Sequence, residues 1–184
     1  VFFLGYFLLE IPGALLVEKW SARLWISRIL LTWGLIAALT GFVRTPVQFY
    51  AARFLLGLGE AGFFPGVIVY MTHWFPARDR AQAMAGFILA VPMSFALGGP
   101  ISALILRANW LGMSGWWWMF ILEGLPAVLL GVITAFYLTD RPRQASWLEP
   151  VEREWLAGEL EREARDKKAR HGHATVWQGL RHRN

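Results

Sequence analysis

Two residues in this sequence are of types that do chemistry and lie where charge is expensive. Arg53 and Glu60 are seven positions apart in the run RFLLGLGEAGFFPG, inside a long apolar stretch. On a helix, seven residues turn through about 700°, so both side chains fall within about 20° of one face and about 10 Å apart along the axis. A charge at the centre of a bilayer costs roughly 2.5–3.5 kcal/mol on insertion scales, so such residues face a cavity or a partner. A guanidinium fork there binds a carboxylate bidentately. A carboxylate on the same face, two turns away, can take up a proton in one state and release it in another. The chemistry this suggests is binding of an organic anion coupled to a proton, and the plain alternative is a structural pair between helices.

Other chemistry-bearing residues are fewer. Glu10 precedes Pro12 and Gly13, where a helix loses a donor and gains flexibility. This favours a structural or gating role for Glu10. Tyr6 is one turn earlier, and its hydroxyl fits either a substrate oxygen or packing. Glu123, next to Gly124 and Pro126, reads as structural. His73 is the single histidine near an apolar segment and has no nucleophile or second ligand beside it, so a membrane-embedded enzyme lacks its parts. His171, His173 and His182 sit in a polar tail without cysteine or carboxylate at ligand spacing, so no metal or other cofactor is expected.

The elements that must position these residues are membrane helices. The 184 residues are 56% hydrophobic and 17% charged, and the charge is segregated toward the C-terminal end. Stretches of about 20 apolar residues mark spans. They fall at about 1–17, 24–43, 48–75, 83–106 and 116–138, joined by polar segments at 18–23, 44–47, 76–82 and 107–115. The sequence begins without Met inside the first of these, with no charged leader and no small-residue cleavage site. This reads as a fragment lacking an upstream helix. The third span is rich in Gly and the fourth carries Pro92, Gly98, Gly99 and Pro100. Such residues permit close approach and bending, as helices that rock would need.

Orientation follows from Lys and Arg. One set of joins holds Lys19, Arg23, Arg78 and Arg80, while the other holds only Arg44 and Arg107. The tail after residue 139 is basic, so it and the first join belong on the cytoplasmic side. Trp20, Trp25 and Trp74 then mark one interface, and Trp110 with Trp116 to Trp118 the other. The net charge of +5 is explained by this bias, and nucleic acid is not expected as a partner. With no cysteine, disulfides are excluded. In the tail, Leu148, Val151, Trp155, Leu156 and Leu160 form a narrow stripe, and Glu149–Arg153, Glu161–Arg165 and Glu163–Lys167 are spaced as helical ion pairs. An amphipathic helix lying on the membrane or under the bundle is expected.

Taken together, the run from Arg53 to Gly66, His73-Trp-Phe-Pro76 followed by Arg80, the run from Gly115 through Glu123-Gly124-Leu-Pro126, and Asp140-Arg-Pro142 with Trp147-Leu148 resemble the anion:cation symporter family of the major facilitator superfamily. That family carries tartrate, phthalate, hydroxyphenylacetate, hexuronates and related acids. The resemblance implies an all-α membrane fold, the N-terminal half of a 12-helix transporter lacking helix 1. It would have about five transmembrane helices in 1–138 and a central cytoplasmic loop in 139–184. Helices 1 and 7 to 12 would lie elsewhere in a full-length protein. It implies proton-coupled symport of a small organic anion across the bacterial inner membrane, with protons and membrane lipid as the other partners. It implies Arg53 and Tyr6 as substrate contacts and Glu60 as the proton carrier. The superfamily's loop pattern Gly-x-x-x-Asp-Arg-x-Gly-x-Arg falls on Ala14 to Arg23. Glu18, Lys19 and Arg23 keep its charges and, with Arg80, imply a cytoplasmic gate. Ala14 and Ser21 replace its glycines. Pro92 lies near the place where some sugar-acid carriers have a Gln, which argues mildly against sugar acids. A non-transporting membrane scaffold or sensor, or an inactive copy, is the remaining alternative.

Overall fold

The computed structural model describes residues 1–108 and 110–171, except the side chains of Ala14, Leu15, Glu18, Lys19, Lys168, Arg170 and His171. The described residues form seven helices: α1 (Phe2–Lys19), α2 (Ala22–Thr40), α3 (Pro46–Glu60), α4 (Phe63–Trp74), α5 (Ala77–Leu106), α6 (Gly115–Tyr137) and α7 (Pro150–His171). Short 3-10 turns lie at Trp110–Gly112 and Pro142–Gln144. Four segments are long and apolar enough to cross a membrane: Ala22–Thr40, Pro46–Trp74, Ala77–Leu106 and Gly115–Tyr137. The apolar part of α1, Phe2–Gly13, is shorter.

The third span differs from the continuous helix expected over 48–75. It is broken between Glu60 and Phe63. Ala61 turns to ψ 133° and Gly62 adopts φ +82°. A side chain at that φ is strained by about 1–2 kcal/mol, so the chain breaks where a glycine allows it. α3 begins on a capping box, with the Thr45 hydroxyl accepting from the Gln48 N–H and the Gln48 side chain accepting from the Thr45 N–H. The break is seated by Trp25, buried in α2, whose indole N–H donates to the Gly62 carbonyl at 3.2 Å. The same indole packs with Val17 and Ile29, against Phe63 and Val69.

The fourth span also differs. The join expected at 76–82 is helical, because α5 starts at Ala77 directly after Pro76 and carries Asp79 in its first turn. Pro fits a helix start, since the donor it lacks would be unpaired there anyway.

Packing follows small residues. α2 lies along α6 more extensively than any other pair, and α1 lies along α3. Gly34 and Gly124 let the α2 and α6 backbones meet: a Cβ on Gly124 would stand 2.5 Å from the Gly34 carbonyl. The Ser27 hydroxyl donates to the Gly131 carbonyl at 2.7 Å across the same seam. In lipid, where apolar burial cannot drive helices together, such contacts carry association. α5 touches only α4 and α6 to any extent and buries none of its residues.

Gly62→Ala should lower the thermal unfolding midpoint of the full-length protein, through about 1–2 kcal/mol of backbone strain and crowding of Trp25. Gly158→Ala, on α7 with open space around it, should leave it unchanged or raise it by the ~1 kcal/mol of helix propensity. Equal midpoints for Gly62→Ala and wild type would contradict the seated break.

Candidate functional site

Arg53 and Glu60 both belong to α3, which is unbroken between them, so they do share a face. Both are half-buried. Among the described residues neither forms an ion pair. The Arg53 guanidinium instead lies over the Phe49 ring one turn earlier, at 5.0 Å from its centre. A cation held on an aromatic face keeps its in-plane donors open.

Glu60 is the last residue of α3, beside the break. It therefore sits at the carbonyl end of a helix, where the backbone dipole opposes negative charge. α1 closes against this region because Gly5 and Gly57 carry no side chain. A Cβ on Gly5 would stand 2.5 Å from the Phe54 carbonyl, and one on Gly57 would run into the Phe2 carbonyl and reach 3.0 Å from the Tyr6 N–H. This approach brings Tyr6 beside Glu10 and within electrostatic range of Glu60. Tyr6 thus has a carboxylate from its own helix and one from α3 in its surroundings. Of the two, Glu10 is the one that sequence reasoning set aside. Its signal was present, since an ionisable group in an apolar helix one turn from Tyr6 is an expensive placement.

Glu123 accepts a hydrogen bond from the Ser102 hydroxyl at 2.6 Å and links α5 to α6, as a structural residue would.

The residues implied for a gate are engaged within the chain. The Arg23 N–H donates to Asp140 Oδ1 at 2.9 Å, and its side chain lies 3.8 Å from Oδ2. The Ser21 hydroxyl donates to Asp140 Oδ2 at 2.6 Å while accepting from the Leu24 N–H at 3.1 Å. Asp140, just past α6, therefore closes the first turn of α2. Ser21, where the superfamily pattern has glycine, is the N-cap that makes this possible. Arg80 donates to Glu163 Oε1 at 3.1 Å and to the Phe75 carbonyl at 3.0 Å. Glu163 Oε2 accepts from the Ala77 N–H at 2.8 Å. A carboxylate from α7 thus caps α5. The Glu18 and Lys19 side chains lie outside the described residues, as do His173 and His182. Among the described residues no group of His, Asp or Glu is arranged to hold a metal ion.

The segment between α6 and α7 is held to the bundle by further contacts. Trp74 stacks on Trp147 with ring centres 5.6 Å apart, and its indole donates to the Thr139 carbonyl at 3.1 Å. Lys167 pairs with Glu163 at 3.3 Å, at the helical spacing read from sequence, whereas Glu161 pairs with Arg143. Burial alone would raise the Glu163 carboxyl, but hydrogen bonds from Ala77, Arg80 and Lys167 hold it below the ordinary value of 4.5. A carboxyl depressed on folding contributes stability that is present above its unfolded value and is lost as pH falls through its folded value. The protection of α7 against hydrogen exchange, relative to the intrinsic rate at each pH, should therefore fall on acidification of the full-length protein from pH 7 to below the ordinary Glu range. Glu163→Gln should exchange faster already at pH 7, by a loss of about 1 kcal/mol. Exchange in α7 that is the same in Glu163→Gln and wild type would contradict the cap.

Comparison with known proteins gives a consistent placement. The profile of the Major Facilitator Superfamily matches residues 1–184. The chain is 51% identical over 173 residues to an Agrobacterium vitis protein that carries the provisional name tartrate transporter, covering 93% of this chain and 40% of that one. It is 45% identical over 161 residues to the quinolone resistance transporter of Acinetobacter baumannii, covering 87% and 37%. The chain thus spans less than half the length of these curated relatives. A bacterial homologue of the human lysosomal transporter Spinster, solved in an inward-facing and occupied conformation, superposes with a TM-score of 0.61 at 22% identity, over 79% of this chain and 36% of that one. At that identity the likeness concerns the fold.

Proposed function

Because the chain belongs to the major facilitator superfamily, whose members are membrane transporters and not enzymes, we propose that it is part of a proton-coupled symporter for a small organic anion. The anion would be a carboxylate such as tartrate or an aromatic or sugar acid. The observation that carries this reading is the α3 face. There Arg53 has no ion pair among the described residues, and Glu60 ends a broken helix within electrostatic range of Tyr6.

In this mechanism Arg53 receives the substrate carboxylate through its guanidinium fork. Tyr6 donates its hydroxyl to a second substrate oxygen. Glu60 carries the coupling proton. Its position at a helix carbonyl end makes a negative charge there costly. The anion on Arg53, about 10 Å along the helix, adds to that cost, so substrate and proton enter together. The name carried by the Agrobacterium relative supports a carboxylate. The Acinetobacter relative's name points to a different substrate, so the acid itself is fixed by residues beyond this pair.

Residues 1–138 would be the transmembrane bundle and 139–184 the central loop. The bundle would lie in the bacterial inner membrane with α7 on the cytoplasmic face, as the distribution of Lys and Arg supports. Helices 1 and 7 to 12 of the full-length protein would complete the cavity. Glu18, Lys19, Arg23 and Arg80 would gate its cytoplasmic end, with Arg23 and Arg80 positioned by Asp140 and Glu163.

The test is uptake of carboxylates by the full-length protein in proteoliposomes under an imposed pH gradient. Wild type should accumulate an acid with protons. Glu60→Gln should keep exchange but lose accumulation. Arg53→Ala should lower uptake by about 10²-fold, the equivalent of one charged bidentate contact at 1.5–3 kcal/mol. No movement of any acid in a broad panel, or normal accumulation by Glu60→Gln, would overturn the assignment.

A further inference from the structure

At the end of the bundle where α7 rests, a cavity of about 360 Å³ opens between the last turn of α4, the first turn of α5, the 3-10 turn at Pro142–Gln144 and α7. That volume is at the small end of the range for ligand sites. Four cationic side chains line it: Arg80, Arg141, Arg143 and Lys167. The two carboxylates on its wall are already engaged. Glu161 pairs with Arg143, and Glu163 with Arg80, Lys167 and the Ala77 N–H. Among the described residues Arg141 has no ion pair. Two further polar atoms on lining residues, Arg80 Nε and His73 Nδ1, are buried without a hydrogen-bond partner.

The bias of Lys and Arg toward one side of a membrane accounts for cations at this end of the molecule. It does not account for their convergence. Cations that serve only topology spread toward solvent and headgroups. Here three separate chain segments bring four of them around one concavity, with an excess of two positive charges over the carboxylates. Buried polar atoms without partners are costly and uncommon.

We propose that this cavity binds a phosphate group, held chiefly by Arg141 with Arg80 and Lys167. The excess charge matches a dianion, and the guanidinium forks match phosphate oxygens. The phosphate comes either from a soluble phosphorylated metabolite or from the headgroup of an anionic lipid. Occupancy adds a bridge between α7 and the α4–α5 joint. The site is separate from Arg53 and Glu60, and its occupancy does not depend on what those residues transport.

The test uses the full-length protein in nanodiscs, read by hydrogen exchange of α7. In one arm, discs of phosphatidylcholine are titrated with inorganic pyrophosphate against chloride at equal ionic strength. In the other, discs contain phosphatidylglycerol and no added pyrophosphate. Protection of α7 in the first arm identifies a soluble ligand, and in the second a lipid headgroup. In either case Arg141→Gln should weaken the protecting interaction at least tenfold and Arg141→Lys by less, since lysine keeps the charge without the fork. Absence of protection by both probes would overturn the proposal, as would equal protection in Arg141→Gln and wild type. Neither result bears on uptake, so the transport reading stands or falls separately.

Discussion

The constraint on which the rest depends is the break in the third span. A helix that must cross a membrane cannot leave backbone groups unpaired in lipid, so an interruption there has to be held by protein. Trp25 does this with one hydrogen bond and a large buried ring. The ring also fills the space between α1, α2 and α4, and Gly13 and Gly66 are small because it is there. The break in turn places Glu60 at a helix end instead of mid-helix. Its chemistry follows from that position as much as from its type.

The remaining architecture fixes where this broken element stands. α2 runs from Trp25, beside the break, along α6 through contacts of glycine on glycine. Asp140 locks the far end of α6 onto the start of α2. Glu163 performs the same service for α5 from α7. Both devices use a carboxylate on a helix N-terminus, where the backbone supplies donors and the dipole favours negative charge. An arginine beside each carboxylate then serves two purposes. It neutralises the cap, and it is held in one place by it. Arg23 and Arg80, two of the residues implied for a gate, are thus positioned by the same contacts that stitch the helices together.

The shared face of Arg53 and Glu60 was legible because it rests on one local fact, the helical period. The helices were legible for the same reason. The break was not, because Gly57, Gly59, Gly62 and Gly66 are four glycines in one run, and only the position of Trp25 distinguishes Gly62. The start of α5 was read as a loop because Arg78, Asp79 and Arg80 look like a polar join. The residue that caps it, Glu163, lies 86 positions from Ala77, a separation that local pattern does not report. Glu10 was visible but was attributed to the nearby Pro12. The approach of Tyr6 to Glu60 depends on how closely α1 meets α3, which the small residues Gly5 and Gly57 decide.

The central claim is that Glu60 exchanges a proton in step with an anion on the Arg53 face. Its most direct measurement is proton uptake by the purified full-length protein on carboxylate binding, in weakly buffered detergent solution with a pH indicator. Wild type should take up about one proton per bound anion near neutral pH, as linkage between the two sites requires. Glu60→Gln should bind the anion and take up none. Proton uptake of the same size in Glu60→Gln would contradict the account and would move the coupling to another group.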